Sequence, residues 1–578
     1  MGRVSAEFSI ADVRPAGAAF GPARAGRHQT SAMNQLSRLC RGLVVSSLVT
    51  VMSGAAAPDP FPGVDAKWRY HQSPHFELYS RNSDADSRLL LHNLEKVRAI
   101  FLDNFKLKPR RPVPLTVFFF SRDKFFESYV TEEARKLENI AAFYRPDPDR
   151  GILLMAPLPS FEAAQPLAFG SYTYHLFRLI DERPPLWFVM GVAELFRNIE
   201  LNASNTGFGK PDPGQVRRLQ TATLLPADAL LFADHGAELY RSNRTHQLFR
   251  DQSWALLHYL YFGQHNLPRD KIDAFIRFVL AESKDAAAAR LREVVDATLG
   301  LSYAQLNGAL GRYVSSGRYG WSKLPVPEVV ATKSYTHRPV PLEEIRLRLA
   351  ELALRTHDSA QARLALLHAA GQPGADARLH EVLGAADYRA REPDRAAERW
   401  ARAVEAGTDN AAIFHELGLL EGRSLLQRFD LDYQLPSDRA ARLRELLQRS
   451  IKAAPDQAAA YETLAWVEAY STDVNVANVN LIQRHFAALK DKKRTMLALA
   501  LIRHRTQDDA TAIHLLDELG KVQPGAWVAD GAEQLRARIE GRRPERIAQP
   551  GAGKGRGPSI VVPPVKVDPR ALKPPADK

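Results

Sequence analysis

"FGSYTYHLFRLIDERPPLWFVMGVAELF", residues 169–196, decides how the whole chain is read. A helix beginning near Ala168 carries Gly170, Ser171, Tyr174 and His175. Residues four apart share a helix face, so Gly170 pairs with Tyr174 and Ser171 with His175. A following helix, in "PPLWFVMGVAELF", carries Met190 and Glu194.

Upstream, between Trp68 and Pro157, extended segments alternate with a helical one. "WRYHQSPHFELYS", "VPLTVFFFS" and "GILLMAP" read as strands, and "SRLLLHNLEKVRAIFLDNF" has helical apolar spacing. Downstream, from Phe161 to about Tyr319, stretches such as "QSWALLHYLYF" keep three- and four-residue spacing. These parts predict one domain over residues 62–322. The prolines and missing periodicity of "GWSKLPVPEVVATKSYTHRPVP" predict a linker at 323–342.

Beyond it the chain repeats. Leu349-Ala350, Leu383-Gly384 and Leu417-Gly418 recur every 34 residues, and Leu464-Ala465 and Leu499-Ala500 are 35 apart. Twelve residues after the small member, Ala362, Ala396, Ala477 and Ala512 mark where paired helices cross, with Leu366, Trp400, Leu481 and Leu516 four later. This period is that of tetratricopeptide repeats. Five are counted within 343–542, with a closing helix in "GAWVADGAEQLRARIE" and a third repeat enlarged around "RSLLQRFDLDYQLPSDR". The proline-rich basic tail, residues 543–578, has little to bury and is expected to be disordered. The fold class is therefore mainly α: an α+β domain with a small mixed sheet, then an α-solenoid of about five repeats.

The net charge of +12 belongs to the ends. Residues 1–56 carry +4 and residues 541–578 carry +6, so the 484 residues between hold only +2. Nucleic acid is excluded as a partner on that distribution. From Met33, "MNQLSRLCRGLVVSSLVTVMSGAAAPDP" has the basic start, short apolar run and small residues of a secretory signal peptide over 33–56, cleaved near Ala56. Residues 1–32 are read as a non-structural upstream extension. Cys40 is the sole cysteine, so the mature chain holds no thiol, and no other apolar stretch reaches membrane-spanning length. The expected location is the periplasm or the exterior.

"SPHFELYS", the helix from Ala168, "PPLWFVMGVAELF" and "QSWALLHYL" together resemble the gluzincin-type, peptidase-MA-like domains of exported bacterial proteins, which are often fused to tetratricopeptide repeats. The resemblance implies a helix bearing H-E-x-x-H, with two imidazoles on zinc and a glutamate as general base, and a third ligand from the next helix. In this chain the first His position is Gly170, the general base Ser171, the second His Tyr174 and the third ligand Met190. Glycine cannot ligate, a serine hydroxyl is too weak a base, and a thioether is a soft donor for hydrolytic zinc. Tyr174, with an ordinary pKa of about 10, would need the metal already held by other groups. Zinc is predicted lost, no catalytic residue carries over and no other cofactor is implied. His175, one position off the ligand face, and Glu194, four residues past the third-ligand position, are the weak substitutes; recruiting His175 would turn its helix by about 100°. The Ser171–His175 pair lacks a strand-to-helix elbow. His235 has no second ligand at helical spacing, and His246 and His258 read as core.

In such domains substrate lies extended beside an edge strand, and Gly151, Ile152, Leu153, Leu154 and Met155 are the candidate edge here. The expectation is an exported pseudopeptidase with a repeat adaptor for protein or peptide partners. The alternatives are a divergent zinc peptidase with relocated ligands and a structural platform that binds only through the repeats.

Overall fold

The computed structural model describes residues 4–7, 59–135, 140–156, 160–180, 184–202, 205–263, 267–281, 293–427, 429–489, 491–522 and 524–544. The signal peptide read at 33–56 and the tail from residue 545 lie outside them. The described chain is mainly helical, with a small mixed sheet in its N-terminal region.

That sheet has seven strands: β1 (Val4–Glu7), β2 (Arg69–Gln72), β3 (Phe76–Ser80), β4 (Leu115–Phe119), β5 (Ile140–Pro146), β6 (Gly151–Met155) and β10 (Thr336–Pro339). Their spatial order is β1-β5-β6-β4-β3-β2-β10. β3, β4 and β6 run parallel, β1 runs parallel to β5, and the remaining pairs are antiparallel. A second sheet joins β7 (Glu200–Leu201), β8 (Asn205–Phe208) and β9 (Ser322–Pro325).

The helices of the N-terminal region are α1 (Asp84–Asn104), α2 (Asp123–Glu127), α3 (Glu132–Arg135), α4 (Phe161–Leu179), α5 (Leu186–Arg197), α6 (Pro213–Thr221), α7 (Ala227–Phe232), α8 (Glu238–Arg241), α9 (Asn243–Phe262), α10 (Arg269–Ala281) and α11 (Tyr303–Ser316). Among the described residues eleven helices follow. They are α12 (Leu342–His357), α13 (Ala360–Ala370), α14 (Ala377–Arg389), α15 (Pro393–Glu405), α16 (Ala411–Gly422), α17 (Ser437–Ala453), α18 (Ala458–Tyr470), α19 (Val476–His485), α20 (Lys492–Arg505), α21 (Asp509–Lys521) and α22 (Ala526–Ile539). The chain falls into two compact units. The first is Met1–Ser424 with Ala441–Leu464 and Ala487–Leu489; the second is Leu425–Ala440, Ala465–Phe486 and Lys490–Lys578.

Within the first unit, β4 and β6 are buried on both faces, which is why they read as unbroken apolar runs. Phe76, Leu78, Val117, Leu153 and Met155 share a core with Tyr172 and Leu176 of α4 and Trp187 of α5. The alternate residues Tyr79, Phe118, Ile152 and Leu154 share a second core with Leu349 and Leu383 of α12 and α14. The sheet thus lies between the helices after β6 and the first helical hairpins.

Two readings of the sequence change here. Residues 323–342, read as a linker, carry most of β9 and all of β10, and β10 pairs with β2. Pro325 and Pro339 end edge strands, where a missing N–H is tolerated, and Pro327 and Pro341 lie outside the strands. Val4–Glu7, inside the stretch read as non-structural, pairs with β5.

All five Leu-small pairs are buried, on α12, α14, α16, α18 and α20. On the second helices Ala362, Ala396 and Ala512 are buried with Leu366, Trp400 and Leu516. The fourth differs by one position: Ala477 is exposed and Leu481 half-buried, while Asn478 and Ile482 are buried. Asn478 is drawn inward because its Nδ2 donates to the buried Glu468 carboxylate at 2.6 Å. The enlargement around "RSLLQRFDLDYQLPSDR" falls between α16 and α17, with a 3-10 turn at Arg423–Leu426.

Candidate functional site

α4 and α5 cross closely. A Cβ on Gly170 would stand 3.1 Å from the Ala193 carbonyl oxygen and 3.4 Å from Arg197 Cβ, so the absent side chain permits the approach. One turn on, Tyr174 Oη donates to Met190 Sδ at 2.8 Å. Three of the four positions singled out in the sequence, Gly170, Tyr174 and Met190, therefore lie at this crossing. Ser171 is fully buried, and its hydroxyl has no hydrogen-bond partner among the described residues.

His175 faces the sheet instead. Its Nδ1 lies 3.1 Å from Tyr144 Oη and its ring stacks on Tyr172. It fills the space above Gly151, where a Cβ would stand 2.6 Å from Nδ1. Burial, reinforced by the charges of Arg178 and Arg98, pushes its pKa well below the ordinary imidazole value, so it is neutral. Glu194 has other company: Arg250 Nε donates to Oε1 at 3.0 Å, and Arg197 lies 3.7 Å from Oε2. Burial raises the Glu194 pKa, but Arg250 and Arg197 outweigh it and hold the carboxyl below its usual range. His175 packs under the sheet, and Glu194 ties α5 to α9. The two substitutes share none of these partners.

The strand Gly151–Met155 is not an edge. It pairs with β4 on one side and β5 on the other, and all five residues are buried. Strand order is set by long-range pairing, which the local pattern of "GILLM" does not encode. The strand flanking β6 is β5, Ile140–Pro146, and its outer side carries β1 in parallel register, with Ser5 opposite Ala142 and Glu7 opposite Tyr144. Sequence reasoning missed this strand. The signal available was the turn-forming "PDPDR" that makes a hairpin of β5 and β6.

His246 and His258 are satisfied in the core. His246 Nδ1 lies 2.7 Å from the Tyr240 carbonyl, and His258 sits between Tyr313 Oη and the Gly209 carbonyl, each at 2.6 Å. Among the described residues no group of three or more His, Cys, Asp or Glu is placed to hold a metal ion. A concavity of about 610 Å³ lined by Tyr259, Leu299, Gln305 and Arg312 includes no residue of α4 or α5.

A second constellation, unread in the sequence, lies in the first unit beside the second core. Arg355 donates to Asp147 and Asp149 at 2.6 to 2.9 Å and to Glu351 at 3.0 Å. Arg150 bonds Glu381 at 2.7 Å and Glu77 at 3.2 Å. Arg378 bonds Glu351 at 2.9 Å and Glu77 at 2.8 Å. Asn410 joins Glu381 to the Asp149 carbonyl. Burial raises the Glu77 pKa, but Arg378 and Arg150 prevail and bring it down to about 2. The charges link β3 and the β5–β6 turn to α12 and α14. They pair with one another, so the arrangement holds elements together and presents no uncompensated charge for a ligand.

Comparison with known protein families, with curated proteins and with solved structures gives no match.

Proposed function

We propose that this is an exported, catalytically silent pseudopeptidase joined to a tetratricopeptide-type adaptor, which binds or scaffolds proteins or peptides in the cell envelope. The Tyr174–Met190 contact carries the reading. At the two positions where the resembled family would place a second imidazole and a third carboxylate, two neutral side chains touch each other. The Met190 thioether is too soft for hydrolytic zinc, and the Tyr174 phenol would give up its proton only to a metal already held by other groups. The tight approach at Gly170 further fills the space a first ligand would need.

Peptide binding needs no metal. The backbone of β5 takes a strand, Val4–Glu7, on its outer side, the kind of pairing that strand addition uses. The opposite edge, β10, is less suited to it. Val340 N–H donates to the Trp68 carbonyl, and alternation then turns position 339 outward, where proline has no N–H to give. The helical hairpins supply the second surface, and the secretory leader read from Met33 supplies the location.

Metal content and hydrolysis of the purified full chain test this reading. The expected result is no stoichiometric zinc and no casein cleavage, unchanged by chelator. One tightly held zinc per chain together with chelator-sensitive cleavage would overturn it.

A further inference from the structure

The insertion between α16 and α17 behaves like a bound peptide. Phe429 to Leu435, "FDLDYQL", belongs to the second unit and forms no helix; its one sheet-like contact is a single bridge from Leu435 to Ser471. Phe429 is nearly buried, with its ring edge-on to Trp466 of α18 and Trp527 of α22. Tyr433 sets its ring edge-on to Tyr470. The backbone is gripped from outside: Arg505 of α20 donates to the carbonyls of Leu431 at 3.0 Å and Tyr433 at 2.7 Å. Tyr470 Oη accepts from Asp430 N–H at 3.3 Å, and the Tyr470 carbonyl accepts from Leu435 N–H at 2.8 Å. Asp432 faces Arg538 at 3.1 Å. An aromatic anchor, carbonyls held by arginine and a carboxylate on a surface arginine are how an extended peptide is recognised.

The fit is also incomplete. Trp466 is fully buried next to Phe429, yet its indole N–H has no acceptor among the described residues. A different chain laid on this face has a donor to gain.

We propose that Phe429 to Leu435 is a self-ligand strap that covers a peptide-docking face on α18, α20 and α22. The partner is an extended peptide with an aromatic residue followed by acidic ones, which docks by displacing the strap. The proposal rests on the adaptor half of the function above. Its test reads peptide binding alone, so a protein found to hold zinc would end the silent-peptidase reading and leave this one standing.

The probe is a labelled, end-blocked FDLDYQL peptide added in trans to the full chain. Phe429→Ser removes the anchor of the strap and should raise affinity for the probe at least tenfold over wild type. Adding Arg505→Ala should reverse that gain, because the carbonyl grip is lost. Gly531→Ala should also reverse it: a Cβ there would stand 3.0 Å from the Phe429 ring and so narrow the aromatic seat for strap and probe alike. Equal affinities in folded wild type and Phe429→Ser would overturn the proposal. If Phe429→Ser does not fold, amide exchange of wild type decides. Asp430 and Leu435 should exchange at least tenfold faster than the α20 interior, and exchange as slow as that interior would make the strap a fixed part of the fold.

Discussion

Glu194 and His175, four residues beyond Met190 and one beyond Tyr174, show how a buried polar residue can be bound to a structural task. Glu194 is a buried carboxylate whose charge is matched by Arg250 and Arg197. Removing it takes from the buried Arg250 guanidinium the carboxylate that it bonds. Glu194→Ala should therefore cost about 3–5 kcal/mol, read as a lowered urea midpoint, whereas a surface pair of the same type would cost under about 1 kcal/mol. His175 makes the converse point. Its imidazole is the ceiling over Gly151, so Gly151→Ala should destabilise by about 1–3 kcal/mol through overpacking. A free-energy change below about 0.5 kcal/mol for either variant would mean that the packing described at that residue is wrong.

At the scale of single elements, what the sequence discloses depends on whether the determining contacts are local. The helical character after residue 342 was legible, and the small and apolar residues that recur there at a fixed spacing are mostly buried. Leu383-Gly384 meets Trp400 within one hairpin, where a Cβ on Gly384 would stand 2.5 Å from the indole. The fourth hairpin slipped by one position because a side-chain bond, Asn478 to Glu468, rather than apolar periodicity sets its rotation. That slip is testable. Ile482→Ala should cost about 2–4 kcal/mol, and Leu481→Ala under about 1 kcal/mol; equal losses would restore the register expected from periodicity alone. The sheet was only half legible. Apolar runs identified β4 and β6, but strand order depends on partners far along the chain, so the edge was assigned to β6 and β10 was taken for linker. In the candidate site, i, i+4 spacing put Gly170 and Tyr174 on one face of α4. No such spacing joins the arginine and carboxylate pairs, since Asp147 and Arg355 lie 208 residues apart.

The whole molecule responds to acid through groups that the fold holds away from their ordinary pKa values. His71, His246 and His258 are lowered to about 4, chiefly by burial, against an unfolded value near 6.5. A lowered folded pKa gives stability that is fully present above the unfolded value and drains as pH falls toward the folded one. The melting temperature should accordingly be level above about pH 7 and decline between pH 6.5 and 4. Below about pH 4.5 it should fall more steeply, because Glu77, Glu351 and Asp147, all lowered in the fold by their arginine partners against the cost of burial, take up protons first in the unfolded chain. A melting temperature unchanged from pH 7 to 5 would contradict the burial of those histidines. The same carboxylates decide whether the chain can be divided at its apparent linker. A cut near residue 325 leaves Asp147, Asp149 and Arg150 on one piece and Arg355, Arg378 and Glu381 on the other, and bares the sheet face of Tyr79, Phe118, Ile152 and Leu154. Each piece would then carry uncompensated charge beside exposed core. Residues 57–325 expressed alone should be insoluble or lack a cooperative melt, while the same piece co-expressed with residues 326–545 should be recovered as a complex. Cooperative unfolding of the isolated piece at the wild-type temperature would show that the sheet needs neither the hairpins nor their arginines.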